Sequence, residues 1–295
     1  MTIPSVSVVI VNFNAGERLR ECVESLHAHL TGLDWECVVV DNASADGSAE
    51  SIEGRYERVV VHRNAENVGF GRAVNQGIEA TVGDLLLVLN PDCEIRPGLV
   101  QRLWPELNAD PKCAIVGPRI VNHDGSVQGS ARGDPTLFTG LFGRSTLLTR
   151  LLPGSRLARS NVRATEAIES GASSVEVDWV SGACMLARRT AVTSVGGFDE
   201  RYFLYWEDAD LCLRLRRDGH VIKYVPGASV VHHVGESSRS APSQSIVAFH
   251  RSAYLYYATH RAPGLLNPVR WVAWVILALR CRWKLMKLTS KRRPG

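Results

Sequence analysis

The chain has 295 residues, of which 45% are apolar and 22% charged, with a formal net charge of +4. That balance builds a sizeable core and excludes a low-complexity or charge-driven nucleic-acid-binding chain. Seven scattered cysteines with no C-x-x-C pair disfavour a disulfide framework or a zinc knuckle, and point to small buried thiols in a reducing cytoplasm.

The first twelve residues lack the basic lead of a signal peptide, and no apolar run approaches the roughly 18 residues of a membrane span. Val6 to Val11 is a continuous β-branched run, the pattern of a strand buried on both faces. It breaks at Asn12-Phe13-Asn14. The spacing of Leu19, Cys22, Val23, Leu26 and Leu30 predicts a helix from Glu17 to about Leu30. Glu36 to Val40 reads as the next strand, and the polar run Asp41 to Ser48 as a loop that opens another helix. A third strand is expected at Arg58 to His62, a helix at about Gly71 to Thr81, and a fourth strand at Asp84 to Leu89, stopped by Asn90-Pro91-Asp92. Alternating strands and helices imply a largely parallel sheet whose ligand crevice lies at the carboxyl ends of the strands. The polar clusters Asn12/Asn14, Asp41 to Ser48 and Asn90/Asp92 all fall there.

Residues 122–174 are poorly patterned and are assigned mostly to loops and short helices. Order resumes at Val175 to Leu186 and continues to Gly219, with a helix from Asp208 to Arg217 and a strand over Val221 to Val231. Three segments result: a first half at 1–121, a second half at 122–261, and a basic amphipathic tail at 262–295. In the tail an apolar stretch from Trp271 to Leu279 is flanked by Arg270 and Arg280, and no acid interrupts the basic run to Arg293. Tryptophans and arginines on one helix suit the surface of an anionic membrane.

No dinucleotide or P-loop fingerprint is present, since Val74 stands where G-x-G-x-x-G needs its third glycine. Asp92, after a buried strand and a proline turn, is a candidate ligand for Mg2+ or Mn2+, which take carboxylates together with substrate phosphates. Its alternative role is an Asx cap of the turn. Glu207, Asp208 and Asp210 crowd three acids into four residues, which demands a cation, a proton or a helix N-terminus. Tyr202, Phe203, Tyr205 and Trp206 precede them and suggest a sugar-stacking wall or a desolvated pocket. His232 and His233 end a strand, where a histidine can bind a metal, bind a phosphate or cap the strand.

Together these motifs resemble the inverting nucleotide-sugar glycosyltransferases with a single Rossmann-like catalytic domain of the GT-A type, in the bacterial rhamnosyltransferase branch. The resemblance rests on VSVVIVNFN, VVVDNASADGS, NAENVGFGRAVNQGI, LLLVLNPDCE, WVSGACMLARR, GGFDERYFLYWEDADLCLRLRRDG and VVHHVGESS, across residues 5 to 260. It implies one domain with a mixed, mostly parallel sheet, flanking helices and the amphipathic tail, in which 1–121 is the nucleotide-sugar-binding half and 122–261 the acceptor-binding and catalytic half. Asp41 would then meet the nucleotide base beside the Asn12 to Asn14 loop. Asn67, Gly69 and Arg72 would line the nucleotide and diphosphate. Asp92 would hold the metal, with Asn90 replacing the first acid of the family's D-x-D element. Glu207 would orient the acceptor, Asp208 would be the catalytic base, and His232, more than His233, would complete the metal or diphosphate site.

The donor implied is dTDP-rhamnose first and a UDP-sugar second. The implied acceptor is a saccharide or a polyprenyl-diphosphate-linked saccharide of the cell envelope, met at the inner face of the plasma membrane. Two other readings remain at this level. A sugar nucleotidyltransferase needs a glycine-rich basic loop after the first strand, of which NFNAGERLR is a poor version. A non-catalytic nucleotide-sugar-binding module would not need Asp208.

Overall fold

The computed structural model describes residues 2–134, 171–233 and 242–290. Its central sheet is built around β1 (Val6–Asn12), whose seven residues are all buried. Alternate side chains explain this. Val6, Val8 and Ile10 pack with Leu19, Cys22, Val23 and Leu26 of α1 (Glu17–His29) on one face. Val9 and Val11 pack with Ala73, Val74 and Ile78 of α2 (Phe70–Glu79) on the other. Gly77 permits that second contact, because a Cβ there would lie 2.4 Å from a methyl of Val9.

β2 (Trp35–Asp41), β3 (Val59–Arg63) and β4 (Leu85–Leu89) extend the parallel part in the order β3-β2-β1-β4. The remaining described elements, in chain order, are β5 (Cys93–Ile95), α3 (Leu99–Asn108), β6 (Cys113–Val121), β7 (Ala131–Arg132), β8 (Val175–Glu176), β9 (Trp179–Val180), β10 (Cys184–Arg188), α4 (Arg189–Ser194), α5 (Glu207–Arg217), β11 (Val221–His232), α6 (Pro242–His260) and α7 (Pro268–Ser290). The sheet continues past β4 as β10-β6-β11-β5, with β8 also on β11, while β7 and β9 form a separate pair. β1 to β4, β6 and β11 run one way; β5, β8 and β10 run the other. The sheet is therefore mixed and mostly parallel. β10 lies between β4 and β6, so chain from both sides of residue 122 shares one sheet.

Three differences from the sequence reading have physical causes. Residues 49–57 form turns rather than a helix. Ala49 and Ile52 are the buried apolar residues there, too few for an amphipathic stripe. Tyr202 is fully buried core and not part of an exposed aromatic wall. α6, unassigned in sequence, carries Tyr256 into the core and Tyr257 onto α7. The 135–170 part of the poorly patterned region, the end of the VVHHVGESS motif and the basic residues after 290 lie outside the described residues.

The tail forms one helix with two faces. Ala273 and Leu277 of α7 pack with Ala253 and Tyr257 of α6. Trp271, Val272, Trp274, Val275, Leu279, Trp283 and Met286 are exposed. No described helix is long and apolar enough to cross a membrane. Of the seven free cysteines, all but Cys281 are buried.

Candidate active site

The first polar cluster forms where β1 and β2 end side by side, with Asn12 in register with Asp41. The Asn12 amide donates to Asp41 Oδ1 at 2.6 Å and lies within 3.0 Å of Ser44 Oγ and 2.8 Å of Ser48 Oγ. Asp41 Oδ2 accepts from Ser44 N–H, and Asn14 Oδ1 accepts from Ala45 N–H. Asp41 is 2% exposed with both oxygens engaged, so its visible work is to shape the 42–48 loop. Direct contact between Asp41 and a base would require that loop to open. Asn42 lies beneath it, donating to Gly69 O and accepting from Asn64.

Gly69 opens α2 at a φ of 90°. Its amide is held by Asn67 Oδ1 at 3.0 Å, and a Cβ on it would lie 2.6 Å from Phe203 O. No L side chain fits that space, and the positive φ independently favours glycine. Arg72, one turn into α2, is exposed and 3.8 Å from Glu200, a loose pairing that leaves the guanidinium open to an anion.

The second cluster is set by strand register. β11 pairs antiparallel with β5, placing His232 opposite Cys93 and beside Asp92. A bulge between Val225 and Ser229 shifts the β11 register before it arrives there. His232 Nε2 lies 3.1 Å from Asp92 Oδ1, and Asp92 is 6% exposed. Asp92 Oδ1 is buried and has no hydrogen-bond partner among the described residues. A buried carboxylate oxygen facing an imidazole nitrogen with no hydrogen bond satisfying it is the donor set a divalent cation completes. Cys93 Sγ lies close enough to join them. We discount it, because the thiol points to Ala183 O at 3.4 Å and burial pushes it far above its ordinary pKa. A protonated sulfur is a poor ligand for a hard cation. His233 turns away to Glu94 at 2.5 Å, which leaves His232 as the histidine of this site.

The third cluster is the first turn of α5. Tyr205 and Trp206 both have positive φ, 68° and 73°, a strained entry of the kind found at functional sites. The Trp206 ring packs into the aromatic cluster of α6, 5.2 Å from Tyr256 and 6.0 Å from Phe249. Phe203 is the more exposed ring, at 38%. Glu207 is buried, and its Oε2 has no partner among the described residues. Burial, reinforced by neighbouring Asp208, raises its pKa well above the carboxylate range. Burial thus favours the protonated form of Glu207, which can donate a hydrogen bond. Asp208 is half-buried; its Oδ2 accepts from Gly182 N–H at 3.0 Å and its Oδ1 from Ala209 N–H at 2.8 Å. Asp210 faces the other way and is buried with His260 at 2.6 Å and Arg214 at 2.7 Å, which ties α5 to α6.

Residues 181–183 bring the second and third clusters together. Gly182 N–H holds Asp208, while the carbonyl of the next residue, Ala183, accepts from Asn90 N–H at 2.9 Å and from Cys93 Sγ. The Asn90-to-Cys93 turn and the Asp208 carboxylate are thus clamped to adjacent residues at one rim of the sheet. Sequence reasoning missed two supports. One is this Ser-Gly-Ala segment; the other is Gln128, which accepts from His232 Nδ1 at 2.9 Å. The only trace of the second in sequence is the Asn122-His123-Asp124-Gly125 turn before it.

Residues 7–162 match the sequence profile of "Glycosyl transferase family 2", and residues 154–290 that of "Glycosyl transferase family group 2". The chain is 36% identical to the N-acetylglucosaminyl-diphospho-decaprenol L-rhamnosyltransferase of Mycobacterium tuberculosis, over 97% of this chain and 94% of that one. It is 40% identical to the rhamnosyltransferase WbbL of Escherichia coli over 93 residues, 32% of this chain and 35% of that one. In structure it resembles GalNAc-T7 with UDP, GalNAc and Mn2+ at a TM-score of 0.60 and 18% identity, covering 91% of this chain and 54% of that one. It also resembles the Pyrobaculum calidifontis mannosyltransferase PcManGT with GDP-Man and Mn2+ at a TM-score of 0.59 and 15% identity, covering 99% and 76%. The chain belongs to glycosyl transferase family 2 and is a glycosyltransferase with the GT-A type fold.

Proposed function

We propose that the chain transfers L-rhamnose from dTDP-rhamnose, with inversion, to a hydroxyl of a polyprenyl-diphosphate-linked saccharide in cell-envelope synthesis. A UDP-sugar is the second choice of donor. The L-rhamnosyl group and the acceptor are supported by the name of the mycobacterial relative, 36% identical over 97% of this chain and 94% of that one, while the dTDP carrier rests on the resemblance to the rhamnosyltransferase branch. The observation that carries the chemistry is the clamp at Gly182 and Ala183, which joins the Asn90-to-Cys93 turn to Asp208.

In this reading Asn12, Asn14 and Asp41 order the loop at the base end. Asn67, Gly69 and Arg72 line the nucleotide and diphosphate, with Asn90 at the rim. Asp92 and His232 would hold Mg2+ or Mn2+, which stabilises charge on a departing diphosphate as a Lewis acid. Glu207 donates a hydrogen bond that orients the acceptor. Asp208 takes the acceptor proton through its remaining lone pairs while Gly182 and Ala209 fix its direction. Trp206, packed on α6, holds the turn that aims both acids. One base and one displacement invert the anomeric carbon.

α7 supports a location at the inner face of the plasma membrane. Its exposed apolar residues share a helix with Arg270, Arg280, Arg282, Lys284 and Lys287 and with no acid, the composition that binds an anionic interface. Sedimentation with anionic vesicles, compared with neutral ones and with a Trp274→Glu/Val275→Glu double variant, tests this. Equal sedimentation of parent and variant would discard it.

The activity test is incubation with dTDP-rhamnose and a short polyprenyl-diphosphate-linked N-acetylglucosamine, with Mg2+, Mn2+ or EDTA, followed by mass spectrometry. The expected result is a gain of one deoxyhexose that EDTA suppresses. Transfer from UDP-sugars alone would replace the donor, and undiminished transfer in EDTA would remove the metal.

A further inference from the structure

Outside the acids just described, a closely connected polar network lies in the turn that links β6 to β7. Asp124 Oδ1 accepts from the Ser126 hydroxyl at 2.5 Å. A carboxylate only accepts, so that hydroxyl proton is committed, and Ser126 Oγ must accept from Asn122 Nδ2 at 2.8 Å. The Asn122 amide is thereby oriented, and its Oδ1 accepts from Gln128 Nε2 at 2.8 Å. Gln128 Nε2 also donates to the backbone carbonyl of His232 at 3.0 Å, an acceptor whose identity admits no flip. Gln128 Oε1 therefore faces His232 Nδ1, 2.9 Å away. An amide oxygen can only accept, so Nδ1 carries the proton.

The neutral imidazole then has a bare Nε2, and that atom is the one 3.1 Å from the unsatisfied Asp92 Oδ1. We propose that Gln128 is a positioning residue that locks His232 in its Nδ1–H tautomer, so that Nε2 and Asp92 present two lone pairs to one divalent cation. The proposal rests on the metal reading of Asp92 and His232 given above. Without Gln128, the lower-energy arrangement puts the proton on Nε2, where it bonds Asp92 and closes the site. The turn reinforces the lock from the backbone, since Asn122 N–H donates to Ser126 O and Gln128 N–H to Ile120 O. Partners of this kind behind metal-binding histidines typically change metal affinity by about 10–100-fold.

The test has two readouts that need no turnover. Long-range proton–nitrogen correlation spectra of metal-free, histidine-labelled protein at a pH where the ring is neutral identify the His232 tautomer, assigned against His232→Ala. Titration with Mn2+, followed by the paramagnetic signal of the free ion, gives the affinity. The parent is expected to show Nδ1–H. Gln128→Leu is expected to move His232 toward Nε2–H and to weaken Mn2+ binding about 10–100-fold. Gln128→Glu keeps an acceptor at Nδ1 but loses the Nε2 donor to Asn122 Oδ1 and the His232 carbonyl, so it is expected to hold the Nδ1–H tautomer at a cost in melting temperature, which separates positioning from simple loss of structure. On a His232→Ala background, Gln128→Leu is expected to cost nothing further. An Nε2–H parent, or a Gln128→Leu variant with unchanged tautomer and affinity, overturns the proposal. A parent that holds Nδ1–H yet binds no Mn2+ overturns its ligand half and exposes the metal reading as the faulty step.

Discussion

Replacing Asp208 with Asn separates base chemistry from architecture, and both effects can be sized. The carboxylate receives two backbone N–H groups on its two oxygens, from Gly182 and Ala209. Asparagine offers one oxygen and one NH2, so one N–H loses its acceptor and meets a donor. Leaving one buried amide unsatisfied costs about 1–3 kcal/mol. At roughly 2–4 °C per kcal/mol for a domain of this size, melting should fall by about 2–12 °C. The rate loss is separate, because removing a general base typically costs about 10²–10⁴-fold, or about 2.7–5.4 kcal/mol in barrier. Binding of dTDP should remain within about threefold, since the proposed function puts Asp208 at the acceptor and not at the nucleotide. The assay is product formation under saturating donor at a temperature well below the lowered melting point, with calorimetry of dTDP binding alongside. A folded Asp208→Asn protein that binds dTDP and transfers within threefold of the parent rate would refute the assignment of the base.

Other expectations follow from the same geometry. Gly69→Ala must relieve a 2.6 Å contact with Phe203 O at a φ of 90°, so it should destabilise by about 2–5 kcal/mol and raise the KM for donor more than it lowers kcat, read by melting and initial rates. Glu207 has a raised native pKa, so the native state binds its proton more tightly than the unfolded chain. The stability from this group is fully present below the ordinary value of 4.5 and is lost as pH rises through the raised one. The melting temperature of Glu207→Gln relative to the parent should therefore climb as pH rises above 4.5, and a flat difference would mean that the native pKa of Glu207 is not raised. Arg189 donates to the carbonyls of Gly83 and Ile78 and to the hydroxyls of Ser7 and Thr81. Arg189→Met leaves those acceptors without their donor and should cost about 1–3 kcal/mol by denaturant titration, while leaving the donor KM of the folded fraction unchanged.

The parallel half of the fold was readable because its strands are uninterrupted β-branched runs and its helices carry regular stripes; β1, β2, α1 and α2 fall within a residue or two of expectation. The segment after Ser48 failed because a polar loop that resembles a helix start lacks the apolar period to continue it. α6 was invisible for the opposite reason, since its serines, histidines and tyrosines are buried by tertiary contacts that no period marks. Within the site, Asp92, the acids that open α5 and the His232–His233 pair could be singled out by charge and position, while the choice of His232 over His233 came from the family resemblance. Their supports could not. Gly182 acts through its backbone amide, and Gln128 acts through a register set by long-range strand pairing. Asp41 shows the converse: a carboxylate that looks free at a strand end has both oxygens taken by neighbours that only the folded loop supplies.

The direction of β10 has an engineering consequence. Had that strand run parallel to β4, residues 181–183 would emerge at the far rim of the sheet, five residues or about 17 Å away. Reversal delivers them beside the Asn90 turn, so contact between the halves depends on strand polarity and backbone amides rather than on side-chain identity. Either flank, the Gly69 loop or the Phe203 approach, can then be exchanged for that of a relative without redesigning the seam that holds the Asn90 turn beside the first turn of α5.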